Sequence, residues 1–452
     1  MKIHNTLSGK TEDFVALDGK VNMYVCGITP YSASHIGHAM MSVIFDVVRR
    51  YLEFKGYDVR HIQNFTDIDD KMILAANSTG IDVADLAESN IADYLAEMDA
   101  LNVARAHEYP RATAEIGKIT EIIAKLIEKG YAYPVAGDVY FRVNQDEDYG
   151  KLSNRDLDGL IAGARVEVDE RKEDAMDFAL WKSQKPGEPA WDSPWGMGRP
   201  GWHIECSAMA IKYLGSSIDI HGGGRDLIFP HHENEIAQSE SFTDEVPFSR
   251  FWMHNGMLRL GEDKMSKSIG NIVTVGEALS SYSPDALRLF FLSSHYRAPL
   301  LYTEANVAGQ ERALERLKNA VRLASAASVG STIDASPAKA QFVEAMDDDF
   351  NTPRALAAMF DLAREINRGK DEGADVLGAQ DTLRELSGVL GISLDETAET
   401  SGAGPFVQML VNVRTELRAA RQFDISDSIR DRLSELGVTI EDTPEGTEWR
   451  IG

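Results

Sequence analysis

The sequence predicts an α/β protein built on a parallel sheet, extended by an all-α region and closed by a small module of mixed structure. Three observations carry that expectation. A buried-type run, Val21 to Cys26, turns into a stretch of helical periodicity and then into a second strand pattern from Asp58 to Asn64, which is a β-α-β unit. From Pro284 to about Leu390 strand patterns give way to helical spacing. A polar break, Thr397 to Gly404, then sets off a short terminal segment with its own helix and hairpin signals.

The elements follow in order. After the first strand comes the turn Gly27-Ile28-Thr29-Pro30, and from His38 the residues Met41, Ile44, Phe45, Val48, Tyr51 and Leu52 fall at helical spacing, with Gly56 placed to end the helix. Between about 67 and 199 the α/β pattern is interrupted by amphipathic helices near 82–102 and 112–129 and a hairpin-like stretch from Ala132 to Val143. The Trp- and Pro-rich segment Trp181 to Pro200 leads back into α/β-type sequence from Gly201 to about Met257. Within the helical region a polar break falls near 324–336. The terminal module begins with a helix expected to bury Phe406, Met409, Leu410, Val413 and Leu417 and to expose Arg414, Arg418 and Arg421. A second helix ending at Gly437 and a hairpin turning at Pro444-Glu445-Gly446 complete it.

At 452 residues the chain is too long for one compact core, so a principal domain with additional modules is expected. There is no apolar run of transmembrane length and no apolar stretch after Met1-Lys2-Ile3, so no membrane association and a cytoplasmic location are expected. Two cysteines exclude a disulfide framework and leave thiols free for metal or chemistry. The net charge of -26 argues against a broadly basic nucleic-acid surface. Local strips remain, with Arg312, Arg316, Lys318 and Arg322 on one helix and Arg414, Arg418 and Arg421 on another.

Two strings carry phosphate chemistry. His35-Ile36-Gly37-His38 puts two imidazoles and a glycine at a strand-to-helix turn, where a nucleotide can approach backbone N–H groups. Lys264-Met265-Ser266-Lys267-Ser268 supplies lysines and serines able to close on a polyphosphate. No Gly-x-Gly-x-x-Gly and no Walker-type lysine loop follows the first strand, so those nucleotide-binding solutions are not in use. A separate set, Cys26, Cys206, His231 and Glu235, has metal-ligand chemistry. His231 and Glu235 share a face on a helix starting after Pro230, and two thiolates with an imidazole and a carboxylate suit tetrahedral zinc.

These strings together resemble the bacterial-type cysteinyl-tRNA synthetases, a family of class I aminoacyl-tRNA synthetases, over essentially the whole chain. The resemblance runs through Met23 to Gly27, His35 to His38, Thr66 to Lys71, Gly201 to Met209, Asp219 to Gly224, Phe229 to Glu235, Lys264 to Ser268, Asp347 to Thr352, and Glu441 to Pro444 with Trp449 and Arg450. It implies a Rossmann-like catalytic domain over 1–265 with a connective insertion at about 67–199. It further implies a stem-contact region over 266–325, a helical tRNA-binding bundle over 326–396 and an anticodon-binding module over 405–452.

The implied reaction is activation of L-cysteine by ATP with Mg2+, then transfer to the 3′ end of tRNA(Cys) by a monomer. His35, His38, Lys264 and Lys267 would be catalytic, and Gly37 and Ser266 would join them in binding ATP. Thr66 and Trp202 would line the amino-acid pocket. Cys26, Cys206, His231 and Glu235 would hold one Zn2+, supported by His203, His221 and His232. One departure stands out: Ile28-Thr29-Pro30 replaces the usual Pro-Thr-Val and resembles instead the mycothiol-pathway ligase that joins cysteine to glucosaminyl-inositol. That ligase lacks the long carboxyl-terminal part retained here. A catalytically dead tRNA-binding paralogue is the third alternative, disfavoured by the intact motifs.

Overall fold

The computed structural model describes residues 1–16, 18–154, 171–260, 263–264, 272–322, 331–394, 403–443 and 446–451. Contacts divide the chain into two compact units, Met1–Ser393 and Leu394–Gly452.

The first unit opens with a hairpin, β1 (Lys2–Asn5) and β2 (Lys10–Asp13), that its short polar sequence did not announce. Strand β3 (Lys20–Ile28) is buried along most of its length, as a central strand covered on both faces must be. Helix α1 (Ile36–Phe54) crosses over to β4 (Asp58–Phe65), which pairs parallel with β3. The helix stops where expected, with Gly56 at φ 89°, a left-handed conformation that glycine adopts without steric cost.

The insertion holds α2 (Asp70–Thr79), α3 (Val83–Ala100) and α4 (Ile116–Glu128). It also holds an antiparallel sheet of β5 (Ala132–Val135), β6 (Asp138–Phe141), β7 (Phe178–Ser183) and β8 (Gly198–Pro200), in that order. Ile119, Ile122, Ile123 and Leu126 of α4 pack with Val139, Phe141, Leu180 and Trp181 of this sheet. The hairpin was legible in the sequence; α2 and the strands formed by the Trp- and Pro-rich segment were not.

The chain then returns to the parallel sheet through α5 (Trp202–Leu214), β9 (Ile218–Gly224), α6 (Glu233–Thr243) and β10 (Ser249–Asn255). The sheet order is β10-β9-β3-β4, all parallel. The order reverses between β3 and β9: the chain leaves β3 toward β4 on one side and comes back to β9 on the other. Such a switch point opens a crevice at the carboxyl ends of the strands, where α/β proteins bind ligands.

Beyond it, β11 (Leu258–Leu260) lies between β12 (Asp263–Lys264) and β13 (Leu300–Tyr302). Helices α7 (Val275–Ser281) and α8 (Pro284–Leu292) precede β13, each entered through a hydroxyl cap, Thr274 and Ser283. Helices α9 (Glu304–Val321), α10 (Ser336–Asp347), α11 (Thr352–Asp371) and α12 (Leu377–Val389) complete the unit.

The second unit comprises α13 (Ala403–Ala419), α14 (Phe423–Glu435) and the hairpin β14 (Val438–Thr443) and β15 (Gly446–Ile451). The expected face of α13 is corrected here. Val407 and Val411 are buried with Leu433 and Val438, whereas Phe406, Met409 and Val413 are exposed and Arg414 is buried. Apolar residues occupy both sides of this helix, so spacing alone does not select a face; α14 and the hairpin do. Trp449 packs with that core, and its indole N–H donates to Gln408 Oε1 at 2.7 Å.

Candidate active site and metal centre

Cys26 lies near the carboxyl end of β3, directly at the switch point. The next residue, Gly27, is fixed by close approach: a Cβ there would fall 1.6 Å from the carbonyl oxygen of Asn64 on β4. Its N–H donates to Asn64 Oδ1 at 2.9 Å, and the N–H of Thr66 donates to the carbonyl of Ile28 at 3.1 Å. Gly222 and Gly223 on β9 do similar work. A Cβ on Gly222 would meet the Phe45 ring of α1 at 2.3 Å, and one on Gly223 would meet His232 at 2.8 Å.

Cys206, in α5, and Glu235, in α6, reach the same point from the other side. The two helices are tied by Gln238, whose side-chain N–H groups donate to the carbonyl of His203 and the hydroxyl of Ser207, both at 3.0 Å. The sequence placed His231 and Glu235 on one helix. In the structure α6 begins at Glu233, and His231 lies in a wider turn over Ile228–His232, kinked at Phe229. The pairing survives, with His231 Nε2 at 3.0 Å from Glu235 Oε1.

Cys26 Sγ is 3.8 Å from Cys206 Sγ and 3.4 Å from Glu235 Oε1. One donor atom from each of Cys26, Cys206, His231 and Glu235 lies within 4.8 Å of all the others, and all four residues are buried. A second set within the same limit, Cys26, His221, His232 and Glu235, shares two of those groups.

The surrounding histidines are placed by specific contacts. His203 Nδ1 lies 2.9 Å from His231 Nδ1, and His221 Nε2 lies 2.8 Å from Glu235 Oε2. His232 stands between Cys26 Sγ at 3.3 Å and His254 at 2.8 Å. His254 in turn reaches the Thr6 hydroxyl at 2.8 Å, and Trp252 stacks on His221 at 4.3 Å between centroids. His254 and Trp252, on β10, were not anticipated. Their only sequence signal was an imidazole and an indole two residues apart in a strand pattern.

Burial and close contact shift the four groups in different directions. Burial alone would raise the Glu235 carboxyl, but the His221 and His231 rings hold it well below the usual carboxylate range. The Cys206 thiol is brought down to about 6 by its hydrogen bond with Cys26, against the desolvation of burial. Cys26 moves the other way, pushed up by burial and by the same bond. Two sulfurs, one imidazole and one carboxylate, buried and converging on one point, are a donor set that fits a tetrahedral divalent ion.

Of the predicted amino-acid pocket residues, Trp202 touches this cluster. Thr66 is buried just beyond β4, and Trp202, at the start of α5, is 39% exposed and stacks on His231 at 4.3 Å between centroids.

The histidine motif forms the head of α1. His35 is the residue before the helix, its N–H donating to His38 Nδ1 at 3.4 Å, and the two rings stack at 3.6 Å. Gly37 lies in the first turn. Chain from beyond the lysine–serine string returns here: the N–H of Ile36 donates to the carbonyl of Val273 at 3.1 Å, and that of Val275 to the carbonyl of Ser34 at 2.9 Å. Two predicted residues, Ser266 and Lys267, lie outside the described residues, and Lys264 is described only through its backbone in β12.

Residues 14–312 match the family described as tRNA synthetases class I (C) catalytic domain, and residues 341–395 match the DALR domain. The fold is shared with Mycobacterium tuberculosis methionyl-tRNA synthetase in complex with methionyl-adenylate, at a TM-score of 0.60 and 17% identity over 87% of this chain and 94% of that one. A parallel sheet with a histidine-headed helix at its switch point, followed by these helices, is the architecture of a class I aminoacyl-tRNA synthetase.

Within that class, the chain is 56% identical over 455 residues to a cysteine–tRNA ligase of Dehalococcoides mccartyi, covering 100% of this chain and 99% of that protein. It is 51% identical over 469 residues to that of Symbiobacterium thermophilum, again covering 100% and 99%. The chain belongs to the cysteine–tRNA ligase family.

Proposed function

We propose that this chain activates L-cysteine with ATP to cysteinyl-adenylate and transfers it to the 3′ end of tRNA(Cys). The observation that carries the reading is the buried cluster of two thiols, an imidazole and a carboxylate at the carboxyl end of β3, beside the histidine-headed α1. The cysteine carboxylate attacks the α-phosphate in line and pyrophosphate leaves. Positioning and electrostatics supply the rate, since the protein does little covalent work in such a transfer. His35 and His38 bind phosphate oxygens as charge redistributes, and Gly37 lets the nucleotide close on the backbone. Lys264, Ser266 and Lys267 close over the departing pyrophosphate and its Mg2+.

Selectivity against serine is the harder task, because a cavity discriminates poorly between near-isosteres. Cys26, Cys206, His231 and Glu235 would hold one Zn2+, which, when bound, ligates a substrate thiolate and not the harder, less acidic hydroxyl. Trp202 and Thr66 wall the pocket beside it. His203, His221 and His232 orient the ligands through their contacts with His231, Glu235 and Cys26.

The insertion at 67–199 acts as the connective region, 266–325 as the stem-contact region, 326–396 as the tRNA-binding bundle and 405–452 as the anticodon module. A cytoplasmic monomer suffices, since one chain carries every residue invoked; no described helix is long and apolar enough to cross a membrane. The full-length match to cysteine–tRNA ligases supports tRNA as acceptor despite the Ile28-Thr29-Pro30 departure. The test is cysteine-dependent exchange of pyrophosphate into ATP, with serine as control, followed by offering the adenylate tRNA(Cys) or glucosaminyl-inositol. Exchange with cysteine alone and transfer to tRNA are expected. Transfer to the amino sugar and not to tRNA would assign the chain to the ligase.

A further inference from the structure

Arg288, in the second turn of α8, is fully buried and has no part in the chemistry above. Its guanidinium is saturated by groups from three other elements. Nη2 donates to Asp46 Oδ2 on α1 at 2.6 Å. Nη1 donates to the carbonyls of Leu101 and Asn102, at the end of α3, at 2.9 and 3.1 Å. Nε and Nη2 donate to the carbonyl of Leu390, at the end of α12, at 3.0 and 2.8 Å. Asp46 is shared: its Oδ1 accepts the N–H of Ala104 at 2.9 Å and its Oδ2 accepts Arg50 Nε at 2.9 Å.

The backbone is shaped around this fork. Gly391 has φ 68°, and a Cβ there would stand 2.0 Å from Arg288 Nη2. Asn102, at φ 54°, donates from its side chain to the carbonyl of Gly391 at 2.7 Å. A buried ion pair is a poor source of net stability compared with an apolar replacement of similar volume. A planar fork that binds several elements at once is better suited to holding them in one geometry.

The elements joined here are the ones that have to cooperate. Asp46 lies on the helix headed by His35 and His38, about 12 Å along its axis from His38 at 1.5 Å per residue. Arg288 lies on α8, which the chain reaches through α7, and residues 273–275 at the entry of α7 are backbone-bonded to the head of α1. Leu390 and Gly391 lie near the end of the segment, 341–395, that matches the DALR domain. We propose that Arg288 is a positioning residue for the transfer step, locking α1 and its histidines to the end of the DALR segment so that tRNA held by that segment meets the adenylate in register. The proposal rests on the tRNA-charging reading.

Its test uses Asn102→Gly, which removes the Gly391 contact while glycine tolerates the left-handed backbone, and Gly391→Ala, which drives a methyl into the guanidinium. Active sites are counted by the burst of adenylate formation, so that misfolded protein drops out. Pyrophosphate exchange, single-turnover transfer from bound cysteinyl-adenylate to a tRNA(Cys) transcript, and tRNA affinity are then measured per active site.

The expected result is exchange within about twofold of the parent, tRNA affinity unchanged, and transfer slowed by roughly threefold to tenfold in Asn102→Gly, the range set by one hydrogen bond, and by more in Gly391→Ala. Transfer slowed by less than about threefold in both variants, exchange and transfer falling in parallel, or loss seen only as weaker tRNA binding would overturn it. A parent protein that forms the adenylate but charges no tRNA would instead overturn the functional reading, and this proposal with it.

Discussion

Gly27→Ala is a severe test of how the sheet builds the site. An alanine methyl at this position would lie 1.6 Å from the Asn64 carbonyl oxygen and 2.8 Å from its carbon. An ordinary contact between such atoms is roughly 3.3 Å, so β3 and β4 would have to separate locally by about 1.7 Å. Two hydrogen bonds cross that gap, from Gly27 N–H to Asn64 Oδ1 and from Thr66 N–H to the Ile28 carbonyl. Losing them costs about 1 kcal/mol each, and the overpacking adds roughly 1–3 kcal/mol, for about 3–5 kcal/mol together.

The effect on the metal centre should be larger in proportion. Cys26 is the adjacent residue, and metal–ligand distances tolerate only about 0.2 Å. The assay is urea denaturation in parallel with zinc content after dialysis against metal-free buffer. The expected outcome is a folded but destabilised protein that has lost most of its zinc and its cysteine-dependent exchange. A Gly27→Ala protein within about 1 kcal/mol of the parent, with full metal content, would refute the idea that this close approach sets the position of Cys26.

Three other outcomes are expected. Purified protein should hold about one zinc per chain, and Cys206→Ala should lower both metal content and cysteine activation; a zinc-free protein with full exchange activity would remove the metal from the mechanism. Lys267→Ala should slow adenylate formation by roughly 10² or more with cysteine affinity nearly unchanged, whereas equal loss of cysteine binding would make the lysine structural. Removing residues 405–452 should leave pyrophosphate exchange nearly intact and reduce tRNA charging steeply, because every residue proposed above for adenylate formation has a number below 394, within the first compact unit; a truncated protein that charges normally would refute the anticodon role proposed for that module.

Much of the candidate site was legible because its chemistry is concentrated in a few uncommon side chains. A chain with two cysteines, each beside a candidate functional segment, leaves few ways to assemble a thiolate metal site. His254 and Trp252 were not legible, because an aromatic and an imidazole in a buried strand look the same whether or not they face a metal ligand. Short elements escaped for a related reason. The hairpin β1–β2 and strand β8 span four residues or fewer each, too short for a period to register.

What the sequence determined by itself was local. Strand β3, helix α1 with its stop at Gly56, and the donor chemistry of Cys26, Cys206, His231 and Glu235 all follow from residue type and near-neighbour spacing. Tertiary structure decided which of these meet. Cys26 and Cys206 are 180 residues apart and Arg288 and Asp46 are 242 apart, and no periodic pattern encodes either contact. The first depends on a sheet order that reverses between β3 and β9, and the second on α8 packing against α1. The buried face of α13 was settled the same way: its apolar residues satisfy either orientation, and only the burial of Val407 and Val411 against Leu433 and Val438 distinguishes them. Spacing limits which side chains share a face, and the free energy of burying one face against a particular neighbour selects among the faces that remain.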